Sequence, residues 1–274
     1  MGRVRKSLSH FVQRNREGTL DLVLGGGLIS LVVGAVGMAL SFLSHIVLSR
    51  VLGSSEYGLY AIILGWVMIL VVPAKFGVDH TVLRFASVYV EKRNMDGLRL
   101  LKAYVVRFWL MSSASVVIAL LVLVVLAPFI IGIAPVDVIW TGLLIAALAG
   151  LGIFSSFYRA IRKVFLSQFY VQILHTAILV AILVVALALK IQLTAEDAVM
   201  LTSVSALCAF GVLLLGLRRL FVSDGSETTI WPIEEQKRWF GLSWPTFVTA
   251  VSQQIMNWGN IIILGWLAST AEAG

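Results

Sequence analysis

The sequence predicts an all-α polytopic membrane protein of about seven transmembrane helices: one six-helix bundle, then the first helix of a second, parallel repeat. Composition points there first. Of 274 residues, 59% are hydrophobic and only 13% are charged, whereas a soluble domain of ordinary make-up carries about 25% charge to cover its surface. Second, long uncharged runs recur at or beyond the roughly 20 residues that a helix needs to cross the hydrocarbon core. Third, Lys and Arg collect on alternate connections between those runs, as the orientation rule for membrane helices requires.

The spans follow in order, at approximately Leu20–Ser49, Gly58–Phe76, Val105–Ala127, Val138–Phe157, Ser167–Leu189, Ala198–Leu217 and Leu242–Leu267. The first is too long for the apolar core of a cleaved signal peptide, and its stripe of small polar residues continues to its end. Tyr57 and Tyr60 mark the outer end of the second, and Trp231, Trp239 and Trp244 the inner entry to the seventh, all at interface positions that favour an amphipathic ring. Trp66 and Trp258 sit deeper and must pack on other helices or line a cavity. In the fourth span Gly142, Ala146 and Gly150 form a small-residue packing stripe. Glu196-Asp197 begins the sixth helix, where acids favour the positive end of the helix dipole. The two longest connections, Gly77–Tyr104 and Arg218–Gly241, are rich in charge, and the first is expected to hold an interfacial amphipathic helix around Leu98–Tyr104. Neither is large enough for a catalytic domain.

With the N-terminus in the cytoplasm, all but Arg50 and Lys190 of the 21 Lys and Arg residues lie inside. The net charge of +7 therefore reports topology and not nucleic-acid binding. Cys208 is the single cysteine, which excludes an intrachain disulfide and a thiolate cluster. The segment Leu52-Gly53-Ser54-Ser55-Glu56-Tyr57-Gly58 at the exit of the first span returns, with one inserted residue, as Leu267 to Gly274 at the exit of the seventh. Six helices separate the starts of the two copies, so both keep one orientation, as in a parallel repeat about an axis along the membrane normal. The expected organisation is a cytoplasmic basic N-terminus over 1–19, a first bundle over 20–222, a cytoplasmic linker over 223–241 and the start of a second bundle over 242–274. The chain then reads as the N-terminal part of a longer protein, with a seven-helix chain as the alternative.

Leu52-Gly53-x-x-Glu56-Tyr57-Gly58-x-Tyr60 resembles the exit of the first helix in the polysaccharide-biosynthesis flippases, the O-antigen-type and related lipid-linked oligosaccharide exporters of the multidrug/oligosaccharidyl-lipid/polysaccharide superfamily. Phe76-Gly77-Val78-Asp79-x-x-Val82-Leu83-Arg84-Phe85-Ala86 resembles the segment after that family's second helix, and Tyr158-Arg159-Ala160 and the seventh span also fit. The resemblance implies transfer of an undecaprenyl- or polyprenyl-pyrophosphate-linked glycan from the inner to the outer leaflet by alternating access between two bundles. It implies a cell-membrane location and no cofactor, though a coupling H+ or Na+ is left open. Partners would be the bilayer, the glycolipid and a glycan polymerase or glycosyltransferase.

Such work requires a polar cavity, because ionisable groups facing lipid are costly. In the first span Ser30, Gly34, Gly37, Ser41 and His45 share a face, which suits close packing, with His45 divided between a structural role and a cavity or proton-coupling role. Gln168, Gln172 and His175 share a face in the fifth span, and Gln253, Asn257 and Asn260 in the seventh; amides suit sugar hydroxyls and equally serve as interhelical ties. For pyrophosphate the first candidate is Arg84, near the cytoplasmic entry, and then Arg50, whose alternative is a pair with Glu56; a guanidinium fork matches phosphate oxygens. The alternative for Arg84 is a snorkelling topological charge. Lys75 and Asp79 have the i, i+4 spacing of a local ion pair. Gly25-Gly26-Gly27 lacks the Lys-Ser/Thr of a phosphate loop. Three other functions compete: an organic-cation antiporter of the multidrug and toxin extrusion type, which calls for an intramembrane acid that the span interiors lack; a membrane enzyme, which calls for a carboxylate cluster or metal site; and an assembly partner without a transport role.

Overall fold

The computed structural model describes residues 2–126, 135–191, 193–220 and 233–267; side chains are described within 27–122, 138–191, 193–218 and 234–259, Ile29 aside. The described residues contain no strand. The helices are α1 (Gly2–Lys75), α2 (Val78–Glu91), α3 (Met95–Leu126), α4 (Pro135–Ala160), α5 (Val164–Gln168), a π-helical segment (Phe169–Leu174), α6 (His175–Ala188), α7 (Ala195–Leu220) and α8 (Ile233–Leu267). Lipid offers no partner to a bare amide, so helices that bond their own backbone are the solution for every span.

α1 is two helices end to end. Its apolar part, Ser30–Lys75, has 46 residues, about 70 Å of helix at 1.5 Å per residue against a core of about 30 Å. Gly53 breaks it with φ 78° and ψ 172°. The break is a reversal: Tyr57 Oη lies 3.1 Å from His45 Nδ1, two groups that a straight helix would hold about 18 Å apart. Glu56, just past the break, accepts a hydrogen bond from the Ala195 backbone N–H at 2.8 Å and so caps α7. Its carboxylate is thus committed to a helix end, and no Arg50–Glu56 ion pair forms. At the same helix start Asp197 accepts from the Thr194 N–H at 3.0 Å, while Thr194 Oγ1 accepts from the Asp197 N–H at 3.3 Å, a reciprocal cap that matches the reading of Glu196-Asp197 as a helix start.

α4 and α7 form the centre. Two thirds of the α4 span and half of the α7 span are buried, against 17–28% for the other described spans. Small residues admit their neighbours: a side chain at Gly150 would lie 2.6 Å from the Phe210 ring. Side-chain donors tie the layer together. Ser203 Oγ donates to the Trp140 carbonyl at 2.8 Å, and Trp109 Nε1 to the Ala146 carbonyl at 2.9 Å.

Three local expectations are corrected. Tyr60, expected at the interface, is 2% exposed and lies 3.2 Å from Thr202 Oγ1; α7 offers it a partner inside the bundle. Trp239 is likewise buried, against Tyr104 and Phe85, whereas Trp244 is exposed and Trp231 lies outside the described residues. The connection Gly77–Tyr104 is not a loop with a helix at Leu98–Tyr104. Leu98 and Leu101 belong to the first turns of α3, buried in the core, because Asn94 caps α3 by accepting from the Gly97 N–H at 2.9 Å. The separate helix is α2, which buries Val78, Thr81, Val82 and Ala86 and exposes His80, Arg84, Val88 and Glu91.

Between α1 and α2 the chain turns through two left-handed residues, Phe76 (φ 47°) and Gly77 (φ 71°). Lys75 and Asp79 therefore stand on different helices; the i, i+4 spacing does not apply and they form no ion pair. Gly77 meets the backbone of α8. A Cβ there would overlap Thr246 Oγ1 and come within 2.5 Å of the Ser243 carbonyl oxygen. The same turn projects Phe76 into a cluster of rings, 4.6 Å from Phe247 and 5.5 Å from Phe240 between centroids. Thr81 Oγ1 and Ser243 Oγ, 2.8 Å apart, complete the joint. Gly77→Ala is expected to cost about 1–3 kcal/mol through backbone strain and overpacking. Gly211→Ala, where nothing lies within 4 Å of the added methyl, is expected to be neutral or slightly stabilising. Thermal unfolding in detergent compares the two.

Candidate functional site

The polar groups that approach each other from different helices do so where this joint leaves a gap. A cavity of about 150 Å³ is lined by Val72 and Lys75 at the end of α1, by Gly77, Asp79 and His80 at the start of α2, and by Ala250, Gln253, Gln254 and Asn257 on α8. The sequence builds it in three steps. Pro73 and Gly77 bracket the end of α1, so Lys75 is the last helical residue before the turn. The turn swings Asp79 and His80 onto a new axis. The contact of Gly77 with Ser243 and Thr246 then fixes the height of α8, which presents Gln253, Gln254 and Asn257 within little more than one turn.

Lys75 and Asp79 are half-buried, and His80 is exposed at the rim. The Lys75 stem lies along α4 over Gly152, where an added Cβ would be 3.0 Å from Nζ and would push the end of the lysine aside. Within 4.0 Å the structure records one ion pair among the described residues, Asp96–Arg99 at 3.5 Å, so the Lys75 ammonium and the Asp79 carboxylate both stand without a salt-bridge partner. An ammonium, an imidazole and three carboxamides can hold an anionic group and its neighbouring hydroxyls: the cation supplies charge, and the amides donate and accept. Behind the joint Tyr89 donates to Glu235 Oε2 at 3.4 Å. Burial, and then the Glu235 charge, push the Tyr89 hydroxyl above its usual range, which keeps it a donor at neutral pH.

The residues singled out in the sequence are dispersed. Gln253 and Asn257 line the cavity, whereas the Asn260 side chain lies outside the described residues. Arg84 is on the exposed face of α2, one turn beyond His80. Arg50 is exposed beside the Gly53 reversal. His45 is engaged with Tyr57, about 27 Å along α1 from Lys75 by helical rise, so the two do not share a site. Gln168 donates to Ser30 Oγ, and the Gln172 side chain packs where a methyl on Gly37 would be, at 2.9 Å; these two amides serve the contact between the first and fifth spans. His175 Nδ1 lies 3.2 Å from Thr176 Oγ1. The π-helical segment intervenes between Gln168 and His175, and its i→i+5 bonding breaks the 3.6-residue period that put them on one face. Lys75, His80 and Gln254 were not recognised as a group. The available signal was Pro73 and Gly77 enclosing a single cation at a helix end.

A family model described as "Polysaccharide biosynthesis protein" matches residues 23–274. No curated protein and no solved structure matches the chain.

Cross-linking tests the cavity's geometry. In a Cys208→Ser background, His80→Cys paired with Asn257→Cys is expected to be bridged by a short bismaleimide. His80→Cys paired with Arg50→Cys is expected to give no intramolecular product; mobility on a denaturing gel reports both.

Proposed function

The chain belongs to the polysaccharide biosynthesis protein family, and from that premise we propose that it moves a polyprenyl-pyrophosphate-linked oligosaccharide across the membrane by alternating access. The observation that carries the reading is the cavity in which Lys75, Asp79 and His80 face Gln253, Gln254 and Asn257. Ionisable groups among membrane helices are costly and are placed where a polar cargo meets them.

In this reading Arg84, exposed one turn from the cavity rim, collects the pyrophosphate at the cytoplasmic face, and Lys75 and His80 receive it. The amides of α8 bond the first sugar hydroxyls. Residues 20–222 act as one bundle and α8 belongs to the second; its helix already begins at Ile233, inside the stretch 223–241 expected as a linker. The cavity walls come from both, so rocking one bundle against the other opens and closes it. The N-terminus is cytoplasmic in the cell membrane, H+ or Na+ supplies coupling, and a glycosyltransferase or polymerase works beside the exporter. The organic-cation antiporter has less support: the family model that matches is that of polysaccharide biosynthesis proteins, and the one carboxylate among the described residues lining the cavity, Asp79, shares it with the Lys75 ammonium.

Lys75→Ala, Arg84→Ala and Asn257→Ala, introduced into the natural gene, are each expected to lower surface polysaccharide roughly tenfold, the effect of about 1.4 kcal/mol, with unchanged protein in the membrane. Lys75→Arg is expected to retain most export. Normal export by all three alanine variants in a strain lacking the wild-type gene would overturn the assignment. For orientation, a cysteine at Lys190 should react with an impermeant maleimide in intact cells and one at Lys92 only after permeabilisation; the reverse pattern would invert the topology.

A further inference from the structure

Lys75 has a cationic neighbour outside the cavity lining. Its ammonium lies over Gly152 on α4. One turn further along the same face stands Ser156, and another turn on is Arg159. Ser155 and Ser156, both buried, donate to the Gly152 carbonyl at 3.0 and 3.1 Å. That bond uses the Ser156 hydrogen and leaves the oxygen free to accept. Arg159 Nη2 donates to it at 2.6 Å.

Arg159 is the last residue but one of α4, which ends at Ala160. A charge placed there for topology alone would extend past the helix end into water. This guanidinium instead turns back along α4 to Ser156, roughly 4.5 Å of helical rise toward Gly152. The side chain is half-buried, and its Nε is buried without an acceptor among the described residues. Neither Arg159 nor Lys75 forms an ion pair among those residues. Unmet donors on half-buried cations are unfavourable. Two such cations on one helix face point to an anion that a ligand brings.

We propose that Lys75 and Arg159 together hold the diphosphate of the lipid carrier, one cation to each phosphate, and that Arg159 distinguishes a diphosphate from a monophosphate. The proposal shares Lys75 with the transport reading above and rests on it. Gly152 and Ser156, over which the two cationic heads lie, are about 6 Å apart by helical rise. Two phosphates joined through one oxygen can present charge to both heads, whereas a single phosphate on Lys75 leaves Arg159 unmet. The guanidinium fork matches phosphate oxygens, and its bond to Ser156 sets the direction in which the fork is held. Gly152 is the positioning residue for the other head, since a methyl there would displace the end of Lys75.

The test titrates the purified full chain in detergent with farnesyl diphosphate, farnesyl phosphate and inorganic pyrophosphate, read by calorimetry. The wild type is expected to bind farnesyl diphosphate roughly tenfold more tightly than farnesyl phosphate. Arg159→Ala should remove that preference by weakening the diphosphate alone, and Arg159→Lys should restore part of it. Ser156→Ala keeps the charge but frees its direction, and should lower the preference less than Arg159→Ala does. Gly152→Ala should weaken both prenyl ligands, because Lys75 meets either one. Arg162→Ala removes an exposed neighbouring charge and should leave the preference intact; thermal unfolding checks that each variant is folded. Equal affinity of the wild type for the two prenyl ligands, a preference kept in folded Arg159→Ala, or an equal loss in Arg162→Ala would each overturn the proposal. So would inorganic pyrophosphate binding as tightly as the prenyl diphosphate, which assigns the pair to a soluble anion. Binding requires neither glycan nor transport, so the two readings fail separately. A preference kept in Arg159→Ala while the Lys75, Arg84 and Asn257 variants lose export removes the diphosphate pair alone. A preference lost there while those three variants export normally removes the transport reading alone.

Discussion

The position of α8 depends on a contact made without a side chain. At Gly77 the backbone turns left-handed and comes so close to Ser243 and Thr246 that a methyl group has no place. Packing in lipid gains nothing from excluding water, so van der Waals contact and hydrogen bonds must supply the attraction, and both grow as backbones approach. Once the approach is made, Phe76 falls among the rings of Phe240 and Phe247 and Thr81 reaches Ser243. The polar cavity is the space left about one to three turns further along α8. The site is therefore a by-product of the joint's geometry as much as of the residues that line it.

The bundle behind the joint follows the same economy. α4 and α7 approach where Gly150 admits Phe210, and the hydroxyls of Ser203 and Tyr60 find partners on facing helices. Those ties are modest singly, about 0.6 kcal/mol each in comparable membrane bundles. They fix which helix faces which; on α2 the buried Val78, Thr81, Val82 and Ala86 do the same and leave Arg84 on the exposed face.

How far the sequence could be read follows from the same physics. Spans were legible because the demand for about 20 apolar residues leaves a signal that no single contact can override. The predicted spans lie in helices apart from their ends: the second and fifth each run one residue past the helix, at Phe76 and Leu189, and Ala127 at the end of the third lies outside the described residues. Rotation and local breaks were less legible. Tyr57 and Tyr60 are one turn apart and look equivalent, yet only Tyr60 meets Thr202. Trp239 looks interfacial until Tyr104 and Phe85 enclose it. The helical spacing of Lys75 and Asp79, and of Gln168 and His175, assumed a regular period that the Phe76–Gly77 turn and the π-helical segment interrupt. Within the cavity Gln253 and Asn257 were visible as a shared face of one helix. Lys75 and His80 were not, because their partnership exists only after two helices have docked.

The cap that Glu56 places on α7 has a consequence in time. The carboxylate and the amide it serves are 139 residues apart, which at about 5–20 residues per second of synthesis is roughly 7–30 s of ribosome travel. Throughout that interval the first hairpin sits in the membrane with a charged group at its bend and no acceptor role to fill. The nascent protein thus carries an open latch on its earliest-made turn, and the arrival of the sixth span is the event that closes it.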